Sequence, residues 1–485
     1  MRITEKVRAL LNAKPTKKNM LLLFFMAFLL RSAIFFFYIQ YNERYNQADT
    51  ADYHNCAVSM ATGQGMYVNG YPRFWRAPGY PFYLHLFYNL FGVKSRTFND
   101  NHSAQMAALW IQIALCSLLP IIIFYLALML TGVLSIAWIS AWIAVFHLGF
   151  VLSSTFLMTD GLGTLLFYLF LIFFYSSFAV IGEKVCTGSL WWISLASFTL
   201  GILTYIRPMG NYVFVVSLLL LAVLAKGVWS EKIKKMFLFA LIFLGLIGGW
   251  YVRNYHLTGK IFFCPMFGLY LNTFVAPKIA VRINGGTLEE NWKQQQRWGH
   301  QETIKVAQSL RGSGYLVVPE IEYGRAAWPL ILSHPLWAFQ DWMQQVLKTT
   351  VDMFSSQHLV ALARGDYCEP LEEFLSDKIK DVLYRQPMSL FMRLLCWLEL
   401  LFTILIWIGL SFGFFLFMVV PLVKCFCVEG YYKRIALLWL KTAPFIGAVV
   451  FMTGGYGYAR LRLPVDLLMI ILSFSFWYWA VKKKV

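Results

Sequence analysis

The chain contains ten apolar stretches. Most are separated by short polar turns, and two long polar segments interrupt the series. The apolar stretches lie at 20–38, 106–130, 134–152, 161–181, 190–205, 210–224, 236–251, 394–423, 435–452 and 463–481. A helix of about 20 residues crosses a hydrocarbon core of about 30 Å, because it rises about 1.5 Å per residue. The pattern therefore predicts an all-α polytopic membrane protein with about 10 transmembrane helices.

Charge patterning predicts how these helices are oriented. Lys and Arg collect before the first stretch, in the turns after the fourth, sixth and eighth, and at the C-terminal end. With ten crossings all of these positions fall on one side, and the excess of basic residues makes that side cytoplasmic. Both termini are therefore predicted to be cytoplasmic.

The amino-acid composition is typical of a membrane protein. Nucleic acid is therefore not an expected partner, although the chain is basic. Of the 485 residues, 59% are hydrophobic and 14% are charged, whereas soluble domains have about 25% charged residues. The net charge of +18 is then explained by basic residues that anchor helices among membrane lipids and contact an anionic lipid substrate. This charge, with no eukaryotic targeting signal evident, predicts a bacterial inner (plasma) membrane.

Two long segments are predicted on the non-cytoplasmic side. They divide the chain into an N-terminal transmembrane module with the first outer loop, a second outer loop, and C-terminal transmembrane helices. The N-terminal module covers 1–252 and includes the first outer loop at 40–105. The second outer loop covers 253–393, and the C-terminal helices cover 394–485. Helical periodicity at 51–63, 78–91, 326–354 and 371–384 predicts one helical outer subdomain formed by both loops, while the polar stretch 283–314 is predicted to be a mobile loop.

Cysteine and histidine spacing gives no metal-binding signature. Cys56, Cys264 and Cys368 fall in the outer segments, which allows one disulfide whose pairing the sequence leaves open. The histidines of the second loop show no HxxxH-type spacing. No metal ligand is therefore assigned.

Carboxylates and guanidiniums gather at the outer ends of the predicted spans. They are Asp49, Asp52, Asp160, Arg76, Arg207, Arg253, Arg460 and Arg462. An Arg at a span end often anchors its helix to headgroups, but such anchors are normally biased to the cytoplasmic side. Asp160 could also cap the fourth transmembrane helix, and Arg31, inside the first, is expected to pair with a loop carboxylate. Cations at this depth suit an anionic lipid headgroup, and a nearby carboxylate suits a hydroxyl or amine nucleophile.

Short motifs at these outer ends follow a recognisable order. They are Asp-Thr-Ala-Asp-Tyr at 49–53, Arg-Ala-Pro-Gly-Tyr-Pro at 76–81, Thr-Asp at 159–160, Thr-Tyr-Ile-Arg-Pro at 204–208, Trp-Tyr-Val-Arg-Asn at 250–254 and Tyr-Ala-Arg-Leu-Arg-Leu-Pro at 458–464. In this order they resemble the GT-C class of membrane glycosyltransferases, and most closely its protein O-mannosyltransferase and aminoarabinose transferase group. The resemblance covers the first 260 residues and 454–467, and the second loop matches only in kind.

The resemblance implies an integral membrane glycosyltransferase that takes a sugar from a polyprenyl-phosphate carrier. The acceptor would be a lipid, glycan or protein on the non-cytoplasmic side, and transfer would invert the anomeric carbon in a single displacement with a carboxylate base. Asp49 holds the family's catalytic position, with Asp52 as its rival. Asp160 completes the set of predicted catalytic carboxylates.

The same resemblance implies a set of donor-binding residues. Arg76 matches the basic residue that contacts the carrier phosphate, and Arg253 is the second predicted phosphate ligand. Arg207 and Arg460 are alternatives to Arg253. Tyr53, which belongs to the first motif, is placed with the donor-binding residues.

One position departs from the family pattern. In the aminoarabinose branch an acidic residue precedes the basic residue and can help to hold a metal, whereas this chain has Trp75 there. The resemblance alone suggests a bound divalent cation, and Trp75 at this position does not support such a site.

Two other classes of function compete with the enzyme. A transporter or flippase of lipid-linked sugars would show internal repeats and ionisable residues near the middle of several spans. The chain shows no repeat, and its predicted spans are nearly free of charge at mid-depth. A non-catalytic membrane scaffold would not need carboxylates and guanidiniums gathered at one face.

Overall fold

A computed structural model describes residues 14–39, 49–93, 95, 97–178, 180–181, 184–185, 190–225, 228–351, 390–419, 431–453 and 459–482. Within these residues the regular structure is almost entirely helical. The first part contains α1 (Lys17–Ile34), α2 (Thr50–Ala61), β1 (Tyr67–Val68), β2 (Tyr71–Pro72), α3 (Gly79–Phe91), α4 (His102–Cys116), α5 (Leu119–Thr131), α6 (Leu134–Phe146), α7 (Leu148–Thr155), α8 (Thr159–Ser176), β3 (Val180–Ile181) and β4 (Lys184–Val185).

The second part continues with helices alone. They are α9 (Leu190–Ile206), α10 (Gly210–Leu224), α11 (Trp229–Thr258), α12 (Met266–Tyr270), α13 (Ala276–Asn284), α14 (Leu288–Ser309), α15 (Pro319–Ser333), α16 (Pro335–Val351), α17 (Leu390–Phe414), α18 (Tyr431–Thr453) and α19 (Ala459–Lys482). Single π-helical turns extend α1, α12 and α17, at Phe35–Ile39, Leu271–Val275 and Phe415–Val419, and a 3₁₀ turn at Asn99–Asn101 precedes α4.

A helix occupies each of the ten predicted spans. Seven helical segments in the described part of the chain are long and apolar enough to cross a membrane: Lys17–Phe37, Asn99–Thr131, Thr159–Ser176, Trp229–Thr258, Cys396–Val419, Arg434–Met452 and Arg460–Lys482. The other three predicted spans are the shorter apolar helices α6, α9 and α10. The prediction of an all-α polytopic membrane protein is confirmed.

Helix α8 forms the centre of the membrane-spanning part. Its aromatic residues Phe167, Phe170 and Phe174 are fully buried and meet the ring of Phe445 on α18 edge-on. The hydroxyl of Tyr168 accepts a hydrogen bond of 3.0 Å from the backbone N–H of Leu467 on α19. These contacts fix the start of α19 against α8, which matters because both helices carry charged residues at their N-terminal ends.

The two long segments that the sequence predicts on the non-cytoplasmic side touch each other. In the first, Asn69 and Gly70 both have positive φ, at 54° and 79°, and join β1 to β2. Asn-Gly suits a two-residue turn that needs this conformation twice. The ring of Phe74 then packs on Phe262, with 5.7 Å between ring centroids, and the Cys264 thiol donates to the backbone carbonyl of Trp75 over 2.9 Å. The residues just before Arg76 are thereby held against the second segment.

Two secondary-structure predictions for the second segment are wrong. The stretch 283–314 contains the 22-residue helix α14, which begins with a capping box between Thr287 and Glu290. Its buried positions are Asn291, Gln295 and Gly299, so the side that packs inward lacks the apolar residues that a hydrophobic period requires. The predicted single helix at 326–354 is two helices, α15 and α16, because α15 ends before Pro335. The predicted helix at 371–384 lies outside the described residues.

Two pairings also differ from expectation. Cys56 and Cys264 are free thiols, and Cys368 lies outside the described residues. Burial raises the pKa of both Cys56 and Cys264 to about 12, so neither thiol is reactive at neutral pH. Among the described residues Arg31 contacts no carboxylate. Its guanidinium donates instead to the backbone carbonyls of Ala27 and Ala144, over 3.2 and 3.3 Å.

Candidate functional site

The first two carboxylates are placed by the start of α2. Asp49 precedes the helix and Asp52 lies in its first turn, a position where the positive end of the helix dipole favours negative charge. Residues three apart on a helix lie on the same face. Asp49 and Asp52 therefore project together towards the segment that follows β2.

Arg76 joins these two carboxylates. Its Nη2 lies 2.7 Å from Asp49 Oδ1 and 3.2 Å from Asp52 Oδ2, and its guanidinium stacks 5.2 Å from the ring of Tyr53. Arg73 binds the other oxygen of Asp52, with 2.7 Å between Nη2 and Oδ1. The motif residues Asp49, Asp52, Tyr53 and Arg76 thus meet at one point.

Arg460, at the start of the membrane helix α19, extends the network to Asp160 on α8. Its Nη2 lies 3.1 Å from Asp49 Oδ2, and its Nε lies 3.6 Å from Asp160 Oδ1. Asp160 also accepts a hydrogen bond of 2.7 Å from Arg207 Nη1. Its side chain is 3% exposed, which makes it the most deeply buried carboxylate of the group.

We call this group the acidic–basic cluster, and it consists of Asp49, Asp52, Asp160, Arg73, Arg76, Arg207 and Arg460. Four guanidiniums and three carboxylates leave it with one net positive charge. The alternation of charges offsets the cost of removing them from water. Its members come from α2, the loop before α3, the start of α8, the end of α9 and the start of α19.

Small residues let these elements approach. Gly79 opens α3, and a Cβ there would lie 2.6 Å from the backbone carbonyl carbon and oxygen of Tyr205 at the end of α9. A Cβ on Gly163 would lie 2.5 Å from Cδ of Arg207. Both glycines therefore allow the Thr-Tyr-Ile-Arg-Pro turn to pack against α3 and α8.

Replacing Gly79 by Ala tests this packing. We expect the free energy of unfolding to fall by about 1–3 kcal/mol, because the new methyl group meets backbone atoms that cannot rotate away. Thermal unfolding in detergent measures the change. Gly245→Ala on α11 is the matched control, since a Cβ there meets nothing within 4 Å. Equal melting temperatures for the two variants would contradict the proposed close approach.

The cations of the cluster control the ionisation of Asp49. Burial alone would raise the pKa of this carboxyl, but the charges and hydrogen bonds of Arg460 and Arg76 outweigh burial and lower the pKa to about 2. The buried Tyr53 has a raised pKa, so its phenol stays protonated. Asp49 is therefore a carboxylate at neutral pH, and both of its oxygens are engaged by guanidiniums.

Arg253 lies beside the cluster without joining it. Its guanidinium stacks 4.4 Å from the ring of Trp250 and 5.5 Å from that of Phe74, and Nη1 donates to Asn254 Oδ1 over 2.7 Å. Its Nη2 is buried without a hydrogen-bond partner. The neighbouring Phe74 places Arg253 close in space to the loop that carries Arg76.

The residues present do not fit a divalent cation. The described residues contain no group of three or more His, Cys, Asp or Glu side chains that could hold a metal ion. Both oxygens of Asp49 and of Asp52 already accept from guanidiniums, and Trp75 offers no oxygen ligand in its side chain. No step of the proposed chemistry runs through a metal.

Sequence reasoning missed two features of this region. Arg73 binds Asp52, and only its position three residues before Arg76 could have indicated it. Asp466 lies two turns into α19 and pairs with Arg462, with 2.5 Å between Arg462 Nε and Asp466 Oδ1. A carboxylate four residues after an Arg within an apolar run is a detectable signal. The interpretation of Asp160 as a helix cap is wrong, because α8 begins at Thr159 with Met158 in the cap position.

Comparison with known proteins gives two structural similarities. No protein-family model and no curated sequence matches the chain. The archaeal oligosaccharyltransferase AglB from Archaeoglobus fulgidus, solved with an inhibitory peptide and a dolichol-phosphate, is similar over 96% of this chain with a TM-score of 0.46 and 12% identity. The chain spans 52% of that protein's length. ArnT from Cupriavidus metallidurans, bound to undecaprenyl phosphate, is similar over 86% of this chain and 73% of its own, with a TM-score of 0.30 and 13% identity.

Proposed function

We propose that the chain is a membrane glycosyltransferase that moves a sugar from a polyprenyl-phosphate carrier to an acceptor on the non-cytoplasmic side. The acidic–basic cluster is the observation that carries the proposal. It gathers charged side chains from five distant parts of the chain at the ends of apolar helices, where the headgroup of a membrane lipid lies. Helix anchoring alone would need separated side chains that point towards lipid.

The proposed reaction is a single displacement at the anomeric carbon. A hydroxyl oxygen of the acceptor forms a bond to this carbon, and the bond between the carbon and the phosphate oxygen breaks. The electron pair of the broken bond leaves with the polyprenyl phosphate. The hydroxyl proton passes to the carboxylate of Asp49, which acts as general base.

Cations take the place of a general acid in this proposal. A phosphate leaving group carries its charge at neutral pH, so paired N–H donors stabilise it as the bond breaks. Arg76 and Arg460 lie against Asp49 and can transfer part of their hydrogen bonding to an incoming phosphate. That exchange frees an oxygen of Asp49 to accept a proton.

Arg253 supports the same assignment. One of its guanidinium nitrogens lacks a partner although it is buried, and a buried donor without an acceptor costs free energy. A phosphate oxygen would satisfy it. We propose that Arg76 and Arg253 both contact the carrier phosphate, and that Tyr53 orients the Arg76 guanidinium through their stacked contact.

A transfer assay with the purified protein tests the proposed function. Polyprenyl-phosphate monosaccharides with a labelled sugar are incubated with the protein in native membrane lipid extract, and the released polyprenyl phosphate is measured. We expect carrier turnover in the wild type and none above background with Asp49→Asn. A second assay places a fluorescent carrier analogue in liposomes and measures its movement between leaflets. Movement that leaves the carrier intact would overturn the proposal in favour of a flippase.

A further inference from the structure

A separate cavity lies within the membrane-spanning part of the protein. Its volume is about 690 Å³, and residues of α6, α7, α17 and α19 line it, among them Ile143, Phe402 and Met469. Sites for small ligands commonly have volumes of about 300–1,000 Å³. Because the lining is mostly apolar and the helices cross the membrane, ligands with hydrocarbon chains suit it best.

Four ionisable residues belong to the lining of this cavity. His147, Glu399, Arg462 and Asp466 line it. Asp466 Oδ1 binds Arg462, whereas Asp466 Oδ2 is buried with no hydrogen-bond partner and lies 3.7 Å from His147 Nε2. The Asp466 side chain is 6% exposed. A buried carboxylate oxygen that accepts no hydrogen bond costs free energy, and a hydroxyl group in the cavity would supply the missing donor.

The cavity and the acidic–basic cluster use different faces of α19. Successive residues of a helix are about 100° apart, so Arg460 and Arg462 point to nearly opposite sides. Arg460 binds Asp49 and contacts Asp160, whereas Arg462 binds Asp466 and donates to the backbone carbonyl of Thr349 over 3.1 Å. The cavity is therefore a second site and is not part of the phosphate-binding region.

The charges at the two sites favour different headgroups. The cluster has one net positive charge. At the cavity the charge of Arg462 is neutralised by Asp466, whose Oδ2 still lacks a hydrogen-bond donor. A phosphate head is disfavoured beside Asp466 Oδ2, because a charged phosphate oxygen brings no donor and is repelled by the carboxylate in a region of low dielectric constant. An uncharged head with hydroxyl groups can donate to Asp466 without this penalty.

We propose that this cavity binds a lipid with an uncharged, hydroxyl-bearing head. The head donates a hydroxyl hydrogen bond to Asp466 Oδ2, and the hydrocarbon chain lies between α6, α17 and α19. The binding of this lipid does not rest on the proposed function, because the cavity and the acidic–basic cluster are separate.

Photolabelling of the full-length protein tests the lipid site. Photoactivatable diacylglycerol and photoactivatable phosphatidic acid with identical chains are compared in nanodiscs, and labelled peptides are identified by mass spectrometry. We expect diacylglycerol to label α6, α17 and α19, with competition by unlabelled diacylglycerol. Asp466→Asn should weaken apparent binding about tenfold, which corresponds to the loss of one hydrogen bond to a charged group.

Variants that fill the cavity provide a second measurement. Thr403→Trp on α17 and Ile143→Trp on α6 place a large ring in the lining and should abolish competed labelling. Leu401→Trp is the matched control, because Leu401 is 60% exposed on the same helix as Thr403 and does not line the cavity. Binding of undecaprenyl phosphate, which should be unchanged in all three, verifies that each variant is folded.

Each outcome separates the lipid site from the proposed reaction. Labelling that is unchanged in both cavity-filling variants, or that is stronger with phosphatidic acid, would overturn the site. If labelling is as expected but no carrier turnover is detected, the proposed lipid site stands and the proposed transferase activity is overturned.

Discussion

Replacing Asp49 by Asn will reduce sugar transfer by about 10²–10⁴-fold, the range expected when a general base is lost. The fold should survive, because the partners of Asp49 keep other carboxylates. Arg76 retains Asp52 at 3.2 Å, and Arg460 retains Asp160 at 3.6 Å. Single-turnover release of polyprenyl phosphate measures the rate, and thermal unfolding measures the fold.

Asp52→Asn is the matched control for this experiment. Asp52 lies one helical turn from Asp49 and shares Arg76 with it, so both variants remove one negative charge from the same place. We expect Asp52→Asn to retain most of the transfer rate. The opposite ranking of the two variants would identify Asp52 as the base, and equal activity of both would remove the carboxylates of α2 from the chemistry.

The pH dependence of transfer offers an independent test of the same residue. The pKa of Asp49 is lowered to about 2 by Arg460 and Arg76 despite its burial, so the carboxylate form persists far below neutral pH. We expect kcat/KM, which reports on the free enzyme, to show no loss down to about pH 4, near the ordinary pKa of Asp. The contribution of Asp49 to the free energy of unfolding depends on pH in the same direction, because it also requires the ionised carboxylate. It is fully present above the unfolded pKa and is lost as the pH falls towards 2.

Replacing Arg207 by Met will destabilise the protein by about 3–5 kcal/mol, because it leaves the charge of a buried carboxylate poorly compensated. Asp160 is 3% exposed and lies 2.7 Å from Arg207. Arg460 Nε, at 3.6 Å, keeps part of the compensation, so the lower end of this range is expected. Thermal and denaturant-induced unfolding in detergent measure the effect.

A double variant distinguishes lost charge from lost packing. Asp160→Asn removes the carboxylate charge, so adding it to Arg207→Met should recover most of the stability. If the double variant is as unstable as Arg207→Met alone, contacts of the Arg207 stem with Gly163, and not the ion pair, hold the end of α9. Stability of Arg207→Met equal to wild type would show that the pair contributes nothing.

Hydrophobic length predicts the membrane helices well because the requirement is simple. About 20 apolar residues are needed wherever a helix crosses lipid, and a helix is present at all ten predicted positions. The two long segments between the membrane helices do not follow this rule. Helix α14 packs inward through Asn291, Gln295 and Gly299, and no apolar period marks such a face.

The candidate site also contains some contacts that local sequence predicts and others that depend on the tertiary fold. Asp49 and Asp52 are three residues apart in a helix-start pattern, so their shared face can be read from local sequence. The contact of Arg460 with Asp49 joins residues 411 positions apart in the chain and depends on how α19 packs against α8. The pairing of Asp52 with Arg73 depends on the turn at Asn69–Gly70, which sets the direction of the following loop.

The position of Arg460 has a consequence for how the protein is made. Every other member of the acidic–basic cluster precedes the second outer segment, whereas Arg460 begins the last helix of the described chain. Before this helix inserts, three guanidiniums balance three carboxylates, and the surplus positive charge is absent. A nascent chain can therefore assemble a neutral version of the cluster and gains the surplus positive charge only when α19 inserts. A chain in which this helix has not yet inserted therefore lacks the net positive charge that attracts an anionic group.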